Sequence, residues 1–334
     1  SLYWNYAMTW YLFFAHALEG TTGSDDGLLD TPALRKMVRF VETQLGGDGR
    51  FFTFNDTQPW LTGASVCADL GSRFEQPLLL WLADTMHAQF AQGIGVASEN
   101  TRGDTVPLAF LWRNRTPAPK AFPGVPTCTH LETMQWGVLR SEGDRFKPSI
   151  VVGLKGQGGA LTHHAQPDVG SFVLQAGGEA FLIDPGYYQP EADKHSLLLL
   201  DGKGPEVVKG AETPVPILDP WESGERRGMG IDVTGAYRGV EARHVRRWFV
   251  LDGARAAVIL DDVSGPKDAV ALFQCGVPAE ALASGRGWRL RGKARDLQVV
   301  CVGLPATLTL GEPRAFERSW IFRDMAERGE VVWS

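Results

Sequence analysis

The sequence lacks the marks of several function classes. It has no basic surplus: 33 Lys and Arg stand against 39 Asp and Glu, a formal net charge of -6. A duplex nucleic-acid binder normally carries the opposite balance, although a local basic cleft can still meet a polyanion on an acidic protein. No apolar run is long enough to cross a bilayer as a helix. There are only four cysteines, Cys67, Cys128, Cys275 and Cys301, with no CxxC pair and no zinc-finger spacing. Four cysteines allow three pairings, and the spacing does not choose among them. Cys275 and Cys301 fall in apolar, strand-like runs and are expected as buried free thiols. No close internal repeat is visible either, which argues against a regular solenoid.

What is present suits a soluble chain of two ordinary domains. Eleven tryptophans are many for 334 residues. Core packing accounts for most tryptophans, and stacking on the C–H faces of sugar rings is the sharper alternative. Residues 1 to about 115 read as helices. Tyr3, Tyr6, Trp10, Phe13, Phe14 and Ala17 recur at helical spacing. The chain opens inside this aromatic pattern, which predicts a segment upstream of it. Thr31-Pro32 is a helix start, with a capping hydroxyl and a proline in the first position. A third helical run spans Pro77 to Phe90. Helices joined by glycine-rich turns predict stacked helical hairpins.

The proline-rich stretch 116–131 reads as a linker, and 132–334 as β structure. Short apolar runs follow one another between Gly and Pro, with Gly177-Gly178 and Asp252-Gly253 as hairpin turns. Many sequential strands without intervening helices imply a large antiparallel sandwich. Val207–Glu225, rich in Pro, Glu and Gly, reads as a long loop.

The densest cluster of reactive residues is Thr162-His163-His164-Ala165-Gln166-Pro167-Asp168-Val169-Gly170-Ser171-Phe172. Asp184-Pro185-Gly186-Tyr187-Tyr188 follows, and then His195-Ser196 leading into Leu197–Leu200 and Asp201-Gly202. Taken singly, each of these is a good turn residue. Turns do not require histidine, however, and three of the seven histidines fall here.

This ordered set resembles the core motif of the heparinase II/III-like lyases, a family that includes alginate lyases. Family members show His-x-His-x-Asp-x-x-Ser-Phe, then Asp-Pro-Gly, then His-Asn-Thr before Val-Asp-Gly. Tyr3-Trp4-Asn5-Tyr6, running into Phe13-Phe14-Ala15-His16, is similar to the helix that carries the family's tyrosine. The resemblance implies a multidomain α+β protein: the C-terminal part of an α/α toroid, then an antiparallel β-sandwich, with the active site between them. It implies β-elimination at a uronic acid, leaving an unsaturated sugar end, on an acidic polysaccharide or oligosaccharide in the periplasm or outside the cell. It also implies a missing toroid segment or chain that supplies an Asn or His, and a homodimer.

Carried over by position, Tyr6 would be the catalytic tyrosine, with Tyr3 one turn away as the competing candidate. An unperturbed tyrosine near a pKa of about 10 is a poor base at neutral pH, so the role demands a lowered value or an acid function. His164 would be a base or a group on the carboxylate side. Asp184 and His195 match two ligands of the family's zinc site, and Gln166 stands where the family has the third, a histidine. Glutamine is a weaker zinc ligand than imidazole. Without a metal, Gln166, Asp184 and His195 would form a hydrogen-bonded support. Trp4, Asp168, Tyr187, Tyr188 and Arg243 are candidate substrate contacts, Arg243 as part of a basic cluster with Arg246 and Arg247. Two other readings stay open. A glycoside hydrolase would need a carboxylate pair, and Asp25, Asp26, Asp56 and Asp69 supply no evident one. A non-catalytic carbohydrate-binding protein is favoured by Gln166.

Overall fold

The computed structural model describes residues 2–57, 63–91, 106–113, 116–147, 149–158, 165–186, 191–206, 215–302, 308–310 and 330–333. The helices are α1 (Leu2–Thr22), α2 (Pro32–Gln44), α3 (Ala64–Arg73), α4 (Pro77–Ala91) and α5 (Val106–Trp112). Helix α2 starts where its residues dictate: Thr31 Oγ1 accepts from Leu34 N at 3.2 Å, and Pro32 fills the first helical position. The core of the helical part joins Leu12 and Ala15 of α1 to Val41, Leu70 and Leu82.

Helix α1 turns most of its aromatic side chains outward. The aromatic stripe is not its buried side. Met8, Leu12 and Ala15 face the core, while Tyr6, Trp10, Phe13 and Phe14 are exposed. A helix apolar all round carries no periodic signal to say which side turns inward.

The strands are β1 (Cys128–Leu131), β2 (Trp136–Arg140), β3 (Ile150–Lys155), β4 (Phe172–Ala176), β5 (Glu179–Leu182), β6 (Leu198–Leu200), β7 (Ile217–Ser223), β8 (Arg226–Asp232), β9 (His244–Asp252), β10 (Ala256–Ser264), β11 (Ala269–Gln274), β12 (Ala279–Ala281), β13 (Gly287–Arg291), β14 (Asp296–Val300), β15 (Leu308–Leu310) and β16 (Glu330–Trp333). All pairings are antiparallel, in sheets ordered β1-β2-β3-β4-β5, β10-β9-β8-β7, β15-β16-β11-β6 and β12-β13-β14. Strand β1 begins inside the stretch read as linker. Strand β7 occupies part of the stretch read as a long loop. Its residues from Asp219 onward are exposed, polar but for Pro220 and Trp221, and Pro220 sits at a register shift on a sheet edge, where proline is tolerated.

Strands β2, β3 and β4 are buried on both faces. One face, with Trp136, Val138, Val151 and Val173, packs on Phe40, Phe52 and Phe54 of the helical part. The other, with Leu139, Val152, Leu154 and Phe172, packs on Met229, Ile231, Phe249 and Leu251 of the β7–β10 sheet. These seven buried side chains at the helical seam, at about 1.5–3 kcal/mol each as an upper estimate, bind helices and sheet into one packing unit. Arg140 adds a polar clamp. It is buried, and it donates to Glu42 O at 2.9 Å and Leu45 O at 2.7 Å, at the end of α2, and to Pro126 O at 3.2 Å. Burial pulls its pKa down to about 10. The four cysteines are free thiols, Cys67 and Cys275 buried and Cys128 and Cys301 half-buried. No described helix is long and apolar enough to cross a membrane.

Candidate active site

The motif residues converge at the seam. Strand β3 ends in Lys155, β4 begins just after Asp168, β5 runs into Asp184, and His195 precedes β6. Asp168, Asp184 and His195 are all buried, and each presents an atom within 4.8 Å of the others. Asp184 Oδ2 lies 2.9 Å from His195 Nδ1, and its Oδ1 accepts from Gly186 N at 3.0 Å. Asp168 pairs with the ammonium of Lys155, itself fully buried.

The helical part completes this cluster through the loop after α2. Thr53 Oγ1 donates to Asp184 O at 2.5 Å, Asn55 N to Asp168 Oδ2 at 3.2 Å, and Asp56 Oδ1 accepts from Gln166 Nε2 at 2.7 Å. The start of α1 packs beside the same loop. Trp4 stacks on Phe40, with centroids 5.1 Å apart, and Asn5 is buried against Gly63.

Electrostatics set what this cluster wants. Asp56, Asp168 and Asp184 are buried carboxylates, Asp168 paired with the Lys155 ammonium and Asp184 with the His195 imidazole. Burial pushes the Asp184 carboxyl above the ordinary carboxylate range, against the pull of His195, and the Asp168 charge adds to the rise. The residues fit a cation. Gln166 Nε2 donates to two obligate acceptors, Asp56 Oδ1 and Gly186 O, at 2.7 and 2.9 Å. That fixes the amide orientation. It leaves Gln166 Oε1 buried without a hydrogen-bond partner among the described residues. An orphaned amide oxygen on a side chain tied to Gly186, whose N–H caps Asp184, is a ligand atom in want of a positive charge. The donor set is richer in oxygen than one with a second imidazole would be.

Other expected residues land differently. Asp168 is fully buried, and both its oxygens are engaged within the fold. Trp4 is half-buried, and its indole N–H donates to Met37 Sδ at 3.2 Å. Tyr6 is 56% exposed. His164, Tyr187, Tyr188 and the side chain of Tyr3 lie outside the described residues. The basic cluster divides, because neighbours on a strand point to opposite faces. Arg243 is exposed just before β9, and Arg246 points outward to Asp232 at 3.0 Å. Arg247 points inward, to Asp261 at 2.7 Å and to the carbonyls of Gly170 and Ser196 at 3.0 and 3.1 Å.

Arg247 thus ties together the segments that carry Asp168 and His195. Arg247→Lys keeps the charge and loses the planar fork. We expect a loss of about 1–3 kcal/mol in stability, read as a lower urea midpoint with an unchanged slope; a wild-type midpoint would show that the fork is dispensable. Three of the four acids considered for a hydrolase are engaged within the fold, and Asp26 is exposed. Asp69 binds His16 and Arg73, Asp56 binds Gln166, and Asp25 shapes the turn before Leu29.

Lys155, Thr53 and Asn55 escaped the sequence reading, and Asp56 entered it only as a possible hydrolase acid. Lys155 had one weak signal, a charge ending a wholly apolar strand. The other three act through contacts more than 100 residues away along the chain, for which a single sequence carries no sign.

No curated protein matches the chain. In solved structures the chain is similar to the heparan sulfate lyase HepC from Pedobacter heparinus, at 15% identity and a TM-score of 0.65, over 99% of this chain and 48% of that one. It is similar to a heparinase III gene product at 15% identity and a TM-score of 0.64, over 98% and 48%. A further heparinase III matches at 15% and 0.63, over 100% and 51%. The chain therefore spans about half the length of these proteins, and at this identity the likeness is one of fold. Residues 126–331 match the C-terminal domain of heparinase II/III-like proteins, and they contain every residue of the buried cluster except those lent by the loop after α2. The chain belongs to the heparinase II/III-like family.

Proposed function

We propose that the protein is a polysaccharide lyase that cleaves a uronic-acid polymer by β-elimination. The observation that carries this reading is the buried Asp168–Asp184–His195 cluster at the seam of a heparinase II/III-like fold, which Gln166 reaches through Gly186, with Trp4 of the tyrosine-bearing helix stacked on Phe40 at the same seam. The solved structures of similar fold include heparan sulfate lyases, which supports a polyanionic sugar as substrate. In this reading the helices form the C-terminal part of an α/α toroid over 1–115, 116–131 links it to the sandwich of 132–334, and the protein works in the periplasm or outside the cell.

The chemistry divides among few groups. Binding must neutralise the uronate carboxylate so that the proton at C5 becomes acidic. His164, two residues before Gln166, takes that proton. The electron pair forms the C4–C5 double bond, and the bond from C4 to the glycosidic oxygen breaks. Tyr6, exposed on α1, gives its proton to the leaving oxygen. Gln166, Asp184 and His195 would hold a Zn²⁺ ion, which would neutralise the buried carboxylates and stiffen the segments that position His164. Replacing Gln166 by histidine should tighten zinc binding. The measurement is metal content and the rise in melting temperature with added zinc; equal responses in the two proteins would remove Gln166 from the ligand set.

The reading is tested with the full-length protein on heparan sulfate, alginate and other uronate polymers, by following the ultraviolet absorbance of unsaturated uronate. A rise on one polymer is the expected result. New reducing ends without that absorbance would mean hydrolysis, and retention of polymer with no new ends would mean a binding protein.

A further inference from the structure

The β7–β10 sheet has a second face, turned away from the helices. Its inner side chains, Met229, Ile231, Phe249 and Leu251, belong to the sandwich core. Register sets the outer ones. Trp221 of β7 lies opposite Gly228, Trp248 of β9 opposite Gly230, and Val258 and Leu260 of β10 opposite Val250 and Trp248. Both glycines leave room for an indole. A Cβ on Gly228 would fall 2.6–2.8 Å from three ring atoms of Trp221, and one on Gly230 2.7–3.1 Å from three ring atoms of Trp248. The two rings therefore settle onto the strands. Beside them Val258 and Leu260 are 55% and 59% exposed. The charges around this apolar centre are spent on one another: His244 on Asp262 at 2.9 Å, Arg246 on Asp232 at 3.0 Å and Arg226 on Asp252 at 3.1 Å.

We propose that this outer face is an accessory carbohydrate-binding surface that takes pyranose rings of a polysaccharide by stacking on Trp221 and Trp248, apart from the buried cluster at the seam. Size decides between occupants. Four strands about 4.8 Å apart give a patch about 14 Å across. Strands of seven to nine residues run about 24–31 Å at about 3.4 Å per residue, so the whole face covers about 340–430 Å², about half of the roughly 800 Å² per partner of a stable protein interface. A short run of sugar units fits it. The negative faces of aromatic rings attract the positive C–H edges of a sugar ring. Because the rim charges are already paired, recognition rests on ring faces and survives salt. From the lyase reading the inference takes only the ligand class.

The test is retardation of the full-length protein in gels containing heparan sulfate, alginate or dextran, at low and high salt. Trp248→Leu keeps an apolar cover without the ring. Leu260→Glu places a charge beside the platform at an exposed position that the fold does not need. The wild type should be retarded by at least one polymer at high salt, and each variant should lose retention about two- to tenfold. Turnover of short oligosaccharides should be unchanged in both. The inference falls if the wild type is not retarded at high salt while β-elimination proceeds, or if the variants are retarded like the wild type. It also falls if light scattering shows a dimer that the variants dissolve, since a second copy would then occupy the face. Retardation that persists in a protein without β-elimination would sink the lyase reading and leave this surface standing.

Discussion

Lys155→Met should destabilise the protein by about 3–5 kcal/mol, the usual cost of removing one partner from a buried ion pair. Lys155 and Asp168 are 1% and 0% exposed. Without the ammonium, Asp168 keeps only the backbone N–H of Asn55 as a donor to its carboxylate among the described contacts. It must then ionise without a counter-charge or take up a proton. The companion variant decides between loss of packing and loss of charge. Lys155→Met with Asp168→Leu removes both charges, and replacing a whole buried pair by apolar side chains is often neutral. The double variant should recover most of the loss in a urea titration. If it is as unstable as the single one, the pair contributes through shape and hydrogen bonding, and the electrostatic account of the cluster fails.

Tyr6→Phe should lower turnover of a uronate polymer by about 10²–10⁴, the usual contribution of a positioned proton donor, with little change in KM. The stability effect should be small, because Tyr6 is exposed and its ring meets Trp10 only edge-to-face, at 6.3 Å between centroids. That separation of effects makes the variant informative. Lost turnover with an unchanged melting curve assigns the proton to the Tyr6 hydroxyl. Retained turnover passes the role to Tyr3, one turn away on the same helix.

Much of the architecture was readable because local chemistry marked it. The capping pair Thr31-Pro32 placed the start of α2, and Gly177-Gly178, both at positive φ, closed the β4–β5 hairpin. The order Asp168, Asp184, His195 marked the cluster because each residue stands next to a strand. Where tertiary context decides, the reading went astray. The apolar α1 could not declare its buried side. The buried pairing of Asp168 with Lys155 announces itself only in space. Strand β7 hid among Asp219, Pro220, Glu222 and Ser223 because most of its length is exposed, and the arginines 243, 246 and 247 looked like one cluster until the pleat divided them.

The loop after α2 has a consequence for how this fold is inherited. The stretch shared across the family starts at residue 126, yet the carboxylates of Asp168 and the amide of Gln166 find partners at Asn55 and Asp56, and the carbonyl of Asp184 finds one at Thr53. The module that sequence comparison cuts out is thus not self-sufficient. Passed alone to another protein, it would arrive with buried polar groups unanswered, and any new host would have to supply a loop that answers them. A change in the helices or in the sandwich is therefore constrained by contacts that belong to both.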